Sequence, residues 1–175
     1  MVVFLFPARF VTKRLVQKER IILSDKSHGH WRISPAIKNT NSGIMTKTVT
    51  RWKQGHEFTS ELDGNSIAID GSRKHGFGPK ALLLSAVAGC SGIDVVDILQ
   101  KMRVEFSGLE IDVAAEQTQE HPKVYKDIYI TYKVSTNPDN EEKVRKAIDL
   151  SLEKYCGVSA MLKKNSPIHY TLEIQ

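Results

Sequence analysis

The sequence predicts an α+β domain over residues 45–175, and three patterns in the order of its elements predict it. Three short alternating segments come first, and a long apolar helix follows them. Two longer alternating strands come next, and then an amphipathic helix and a last alternating segment. The predicted order is therefore β-β-β-α-β-β-α-β, without an internal repeat.

The first three strands are predicted at residues 49–53, 56–63 and 65–70. Asp63-Gly64 separates the last two segments, and Asp-Gly between alternating segments is a strong signal for a hairpin. Residues 71–78 contain three glycines together with Arg73 and Lys74. Glycine-rich segments of this kind are predicted to form loops.

The first helix is predicted from Pro79 to about Met102, because proline suits the first position of a helix. Its first half is apolar nearly all round, which predicts a helix that is buried on every side. Strands at residues 109–119 and 125–135 follow, and the short connection between them predicts a second antiparallel hairpin.

The second helix begins after Asn137, a favourable N-cap, and Pro138 takes its first position. Apolar residues repeat along one stripe, so this helix is predicted to be amphipathic and to end near Gly157. A short helical turn is predicted from Ser159, and the last strand begins at Ile168.

The composition excludes several classes of protein. The chain has 175 residues, of which 41% are apolar, and only two cysteines, which suits one globular domain. Two cysteines cannot form a disulfide scaffold or supply a zinc finger alone. No apolar run approaches the roughly 20 residues that span a bilayer. We therefore expect a soluble, cytoplasmic protein without a membrane segment.

The basic excess of the chain lies in its first quarter. Residues 1–44 carry eight basic and two acidic side chains, whereas residues 45–175 carry 17 basic and 18 acidic ones. Such asymmetry is typical of a nucleic-acid-binding arm or a transit segment, and it also fits a reading frame that truly starts at Met45. We expect residues 1–44 to be an extension, disordered or not native, and nucleic acid is not the expected partner.

The sequence contains no motif of a common cofactor or metal site. A P-loop, a Rossmann glycine pattern, H-E-x-x-H and G-x-S-x-G are all absent. None of the six histidines lies three or four residues from another on a predicted helix, and His28 and His30 are two apart. We expect neither a cofactor nor a metal, which leaves the two thiols as the reactive groups.

Each thiol has a functional and a purely structural interpretation. Cys90 lies in the first helix within a run of small residues, 86–92, which would let a substrate or another chain segment approach closely. Cys156 ends the second helix and precedes the turn at Ser159, whose N–H groups could stabilise a thiolate. Free cysteines more often serve as small buried apolar side chains.

Three segments carry a family resemblance: G-P-x-x-L-L-L-x-A-x-A-G-C over residues 78–90, the apolar continuation of that helix through Leu99, and the segment around Tyr155-Cys156. Through them, residues 45–175 resemble the OsmC/Ohr family of thiol-dependent hydroperoxide reductases, and most of all its YhfA-like branch. The resemblance implies an OsmC-like α+β fold. In that fold, antiparallel sheets wrap around the long central helices of an intertwined homodimer.

The resemblance also implies a function. In this family, peroxide oxidises the cysteine of the central helix to a sulfenic acid, and a second cysteine resolves it as a disulfide. These roles map onto Cys90 and Cys156, with organic hydroperoxide as substrate, an external dithiol as reductant and a place in antioxidant stress response. The alternative is a non-enzymatic dimeric module that binds a small apolar ligand beside Cys90.

Two positions depart from the family pattern. Lys80 occupies the position of a glutamate that supports the reactive thiolate, and Gly55 occupies that of an arginine. Asp94, four residues after Cys90, would disfavour the thiolate. An efficient peroxidase therefore needs a cation from another part of the chain. The basic residues that could supply it are Lys80, Arg73, Lys74, Arg51 and His56.

Overall fold

The computed structural model describes residues 45–175, so the predicted extension over residues 1–44 lies outside the described residues. The strands are β1 (Val49–Gln54), β2 (Glu57–Leu62), β3 (Asn65–Asp70), β4 (Phe106–Gln117), β5 (Tyr125–Thr136) and β6 (Ile168–Ile174). The helices are α1 (Ala81–Lys101), α2 (Glu141–Leu150) and α3 (Gly157–Leu162). A 3₁₀ turn, Pro138–Asn140, precedes α2, and a π-helical turn, Ser151–Tyr155, joins α2 to α3. This order confirms the predicted α+β class.

Strands β1, β2 and β3 form an antiparallel meander. The predicted hairpin at Asp63-Gly64 is confirmed, because Leu62 pairs with Asn65 across it. Asp63 has φ of 48° and Gly64 has φ of 82°. Positive φ at both central residues is the signature of a type I′ turn, and glycine adopts it without steric cost.

The loop after β3 is held by one carboxylate. Asp70 is only 1% exposed, and its oxygens accept hydrogen bonds from the hydroxyl and N–H of Ser72 and from the N–H groups of Lys74 and His75. These donors, the Ser72 hydroxyl foremost, hold the pKa of the Asp70 carboxyl well below its usual range. The loop that carries Arg73 therefore has a defined path.

Strands β4, β5 and β6 form the second sheet, with β5 in the middle. The pairing of β4 with β5 is antiparallel, as predicted, but β6 pairs with β5 in parallel. The resemblance implied antiparallel sheets, and the parallel β5–β6 pair departs from that expectation because the crossover through α2 and α3 makes parallel pairing possible. Strand β4 begins at Phe106, before the predicted residue 109, because Gly108 at a register shift weakens the strand signal in the sequence.

The core lies between α1, α2 and the second sheet. Alternate residues of β5 point into it, as the sequence pattern predicts, and they are almost completely buried: Ile128, Ile130, Tyr132 and Val134. Helix α1 contributes Val87, Val95 and Leu99, and α2 contributes Val144, Ala147 and Ile148, all with no exposed surface. Cys156 belongs to the same cluster.

Helix α1 is not buried on every side within one chain, contrary to the expectation from its composition. Ile93 is 67% exposed and Leu83 is 45% exposed, on the side of the helix away from the sheet. By length and composition alone, the 21-residue helix α1 is long and apolar enough to cross a membrane. The expectation that the chain contains no such segment is therefore wrong. Core helices pass the same test, and Val87, Val95 and Leu99 of α1 are fully buried.

Leu99→Ala should lower the free energy of unfolding by about 2–5 kcal/mol, because it opens a cavity in a fully buried site between helix and sheet. The measurement is chemical denaturation of both proteins at one protein concentration. Gln100→Ala, at the exposed neighbouring position, is the matched control and should change this energy by less than about 0.5 kcal/mol. Equal losses in the two variants would contradict this placement of α1.

Candidate functional site

The small residues around Cys90 divide between two sides of α1. Gly92 is buried, and a Cβ atom there would lie 2.9 Å from Cδ1 of Ile111, so this glycine lets the helix approach β4 closely. A Cβ atom at Gly89 would meet nothing within 4 Å. Cys90 itself is half-buried and packs at the edge of the core. Its thiol therefore lies between the packed side and the open side of the helix.

Cys156 is positioned by a break in helical geometry that the sequence did not predict. The backbone N–H of Cys156 donates to the carbonyl of Ser151, 2.8 Å away, which closes a π-helical turn. Such turns insert one extra residue and are frequent at functional sites. The turn ends in extended geometry at Cys156, which becomes the N-cap of α3. Its Sγ accepts from the N–H of Ser159 at 3.3 Å.

The fold brings both thiols together with one carboxylate. Sγ of Cys90, Sγ of Cys156 and a carboxylate oxygen of Asp94 all lie within 4.8 Å of one another. Cys90 and Asp94 share a face of α1, since residues four apart on a helix are neighbours. The Ser151 hydroxyl donates to Oδ2 of Asp94 at 2.9 Å and thereby orients the carboxylate. Three residues that the sequence analysis named as candidates, Cys90, Asp94 and Cys156, therefore lie together.

Tyr132 of β5 contacts the residue next to Cys90, and the sequence analysis did not identify it as part of the site. Its hydroxyl donates to Oγ of Ser91 at 2.8 Å, next to Cys90 in the chain, and its ring is fully buried. Burial raises the pKa of Tyr132 to about 12, so the hydroxyl remains a neutral donor. The only signal in the sequence is that a tyrosine occupies an inward position of β5 where the neighbours are isoleucine and valine.

Burial dominates the ionisation of Cys156. The residue is 2% exposed, and burial raises the pKa of its thiol, with a further increase from the hydrogen bond with Cys90. The hydrogen bonds of Ser159 act in the opposite direction but do not compensate. The cap at α3 was expected to favour a thiolate at Cys156. The structure contains that cap, yet desolvation outweighs it.

The predicted supporting cations lie elsewhere in the described part of this chain. Nζ of Lys80 bonds the side chain of Gln117 and, at 3.2 Å, the carbonyl of Lys123. Arg73 packs beside Gly78, and His56 packs beside Gly71. Asp94 is the one supporting residue that the fold places beside the thiols. The supporting roles of Lys80, Arg73 and His56 stay predictions.

A cleft of about 340 Å³ borders the site on the side of Asp94. It is lined by side chains from α1 and from the segment that follows α2: Asp94, Asp97, Ile98, Lys101, Met102, Leu150 and Tyr155. Apolar and charged groups share this lining. The cleft therefore suits a small amphipathic molecule that reaches the carboxylate end of the site.

The α+β fold thus places two thiols and a carboxylate together at one site. Residues 70–171 match the family described as OsmC-like protein. The chain belongs to the OsmC-like family, as the sequence predicted. It is similar to Protein YhfA of Escherichia coli K12, with 36% identity over 126 residues, which cover 71% of this chain and 94% of that protein.

Solved structures agree with this fold. A hypothetical protein from Aquifex aeolicus VF5 is similar with a TM-score of 0.69 and 30% identity, over 76% of this chain and 98% of the other. An organic hydroperoxide resistance protein from Legionella pneumophila has a TM-score of 0.56 and 13% identity, over 75% of this chain and 99% of the other. The second likeness concerns the fold alone.

Alkylation of Cys156 in the reduced protein should show a pH midpoint above that of the same cysteine in the unfolded chain. The reason is that burial favours the neutral thiol, so less thiolate is present in the folded protein at any given pH. Site-resolved alkylation rates, followed by mass spectrometry of the Cys156 peptide, measure the midpoint, with urea-unfolded protein as the control. A folded midpoint at or below the unfolded one would contradict the prediction.

Proposed function

We propose that this protein is a thiol-dependent reductase of organic hydroperoxides that uses Cys90 and Cys156. The apposition of the two thiols, on separate elements and within 4.8 Å, is the observation that carries the proposal. Family membership supports it, and the substrate class is taken from the name of the Legionella relative. The proposed compartment is the cytoplasm, where thiols persist in reduced form.

The proposed reaction has two steps. The Cys90 thiolate attacks one peroxide oxygen, the O–O bond breaks, and the alkoxide leaves as an alcohol after taking a proton, so that Cys90 becomes a sulfenic acid. Sγ of Cys156 then attacks Sγ of Cys90, a disulfide forms, and the hydroxyl leaves as water. The hydroperoxide gains two electrons, and the two thiols lose them. An external dithiol restores both thiols by exchange.

Burial supports this order of the two thiols. Cys90 is half-buried beside an open side of α1, whereas Cys156 is 2% exposed and has a raised pKa. A peroxide needs access to the attacking sulfur, while the resolving sulfur needs only to reach its neighbour. Cys90 is therefore the proposed site of attack, in agreement with the role that the family resemblance implies.

A second copy of the chain is part of the proposal. Within residues 45–175, extensive contacts of β1, β2 and β3 are made only with one another. This sheet exposes Trp52, Phe58 and Ile67 on one face, and α1 exposes Leu83 and Ile93. A homodimer that covers both surfaces would bury them, and in this proposal the cation beside Cys90 comes from the second copy.

A stoichiometric dose of an organic hydroperoxide should convert the two thiols into one Cys90–Cys156 disulfide, because they lie close enough to join after a small movement. Thiol counting and peptide mass spectrometry measure this. Cys156→Ser should stop at a sulfenic acid on Cys90 that dimedone traps, and Cys90→Ser should show no such adduct. Two alkylatable thiols after peroxide treatment, or an adduct on Cys156 in Cys90→Ser, would overturn the proposed mechanism.

The protein should be a dimer at micromolar concentration, and Ile93→Glu should produce monomers, because it places a charge on the exposed apolar face of α1. Light scattering coupled to size-exclusion chromatography measures the mass. Met161→Glu changes a residue of similar exposure, 64%, on α3 and should leave the dimer intact. A monomeric wild-type protein, or dissociation in Met161→Glu alone, would contradict the proposed interface.

The cleft of about 340 Å³ favours a second candidate function, a non-enzymatic module that binds a small molecule. Its apolar lining residues Ile98, Met102 and Leu150 would hold such a ligand next to Asp94. A peroxide-consumption assay with and without dithiol separates the two functions. A binding module would consume no peroxide and would keep both thiols reduced in the presence of hydroperoxide.

A further inference from the structure

We propose that the reduced site binds a thiophilic divalent cation, with Zn²⁺ as the type case, through Cys90, Asp94 and Cys156. The proposal goes beyond the peroxidase function and does not depend on it. The sequence alone predicted no metal site, because its two cysteines are 66 positions apart. The fold brings them to the same carboxylate, and thiolate and carboxylate are both ligands that zinc accepts.

The spacing of the donors fits a metal ion. Two sulfurs that bind one tetrahedral zinc at about 2.3 Å lie about 3.8 Å apart. The three donor atoms here lie within 4.8 Å of one another, so a small side-chain adjustment brings them into range. Cys90 and Asp94 occupy positions i and i+4 of α1, the spacing by which one helix face supplies two ligands to a metal. Cys156 supplies the third ligand from another element.

Neighbouring groups orient these ligands in the way that metal sites require. The Ser151 hydroxyl donates to Oδ2 of Asp94 at 2.9 Å, and within residues 45–175 Oδ1 accepts no hydrogen bond. The N–H of Ser159 donates to Sγ of Cys156 at 3.3 Å, a contact that favours the sulfur as an anion. Hydrogen bonds of this kind fix ligand geometry and typically change metal affinity about 10–100-fold when removed.

A second cluster of possible metal ligands in the described residues serves as a comparison. Glu57, Asp70 and His75 also bring three donor atoms within 4.8 Å. Both oxygens of Asp70 already accept hydrogen bonds from Ser72 and from the loop N–H groups, so their lone pairs are occupied. The carboxylate of that cluster therefore stabilises the loop after β3. The thiol site, by contrast, holds two sulfurs and a carboxylate that accepts one side-chain hydrogen bond within residues 45–175, from Ser151.

Three protein ligands leave the fourth position of a tetrahedral ion open. Asp94 also lines the cleft of about 340 Å³, so water or a small anionic ligand from that cleft can complete the coordination. A cation that holds both thiolates also keeps them from joining as a disulfide. The proposed metal-bound form is therefore a state of the reduced protein only.

Titration of the reduced full-length protein with Co²⁺ under anaerobic conditions tests the proposal. We expect one equivalent per chain to produce a near-ultraviolet thiolate-to-cobalt charge-transfer band and the visible bands of a tetrahedral ion, and Zn²⁺ should abolish both. Cys90→Ser and Cys156→Ser should each weaken the charge-transfer band. Asp94→Asn, which preserves both thiols, should lower cobalt affinity at least about tenfold.

Asp139→Asn is the matched control, because it removes the same charge from an exposed position of the 3₁₀ turn before α2, outside both the cluster and the cleft. It should bind cobalt as the wild type does, and circular dichroism checks that each variant is folded. No charge-transfer band in the reduced wild type, or equal affinities in Asp94→Asn and wild type, would overturn the proposal. No peroxide is used, so these outcomes are independent of the peroxidase test.

Discussion

Helix α1 approaches the second sheet closely at one place, and the geometry of both thiols depends on that approach. Gly92 has no side chain to hold the helix away from Ile111, and Ser91 receives the hydroxyl of Tyr132 at 2.8 Å. With these two residues on the sheet, the 3.6-residue period directs Cys90 and Asp94 towards the π-helical turn and α3. A Cβ atom at position 92 would require the Cδ1 end of the Ile111 side chain to move.

The site combines two thiols and a carboxylate within 4.8 Å of one another. Burial raises the pKa of Cys156, and Asp94 adds negative charge. A positive charge would ionise the thiols, but in the described residues Lys80, Arg73 and His56 lie elsewhere. The two proposals supply that charge in different ways. One takes it from a second chain, and the other from a bound metal ion.

The single chain also leaves apolar surface without cover. The first sheet exposes Trp52 and Phe58, which face each other across β1 and β2, and α1 exposes Ile93. Monomeric proteins rarely expose apolar patches that extend over several elements. The apolar residues of α1 predicted a helix that is buried on every side. A single chain covers this helix only in part, and Ile93 stays exposed.

Local signals in the sequence determined the class and order of the elements. Asp63-Gly64 specified the first hairpin, Asn137-Pro138 began the second helical segment, and alternation in β5 identified its buried face. These features depend on neighbours within a few residues, so they can be predicted from one chain. The start of β4 was missed, because Gly108 interrupts its pattern.

Only the tertiary structure decided how the site is assembled. The resemblance to a family paired Cys90 with Cys156, but the position of Asp94 beside both, the π-helical turn and the support from Tyr132 all depend on contacts between distant segments. Which of the two thiols is buried more deeply depends on the same contacts. Desolvation is set by everything that surrounds a group in space, and for Cys156 it outweighs the local cap that the sequence had already indicated.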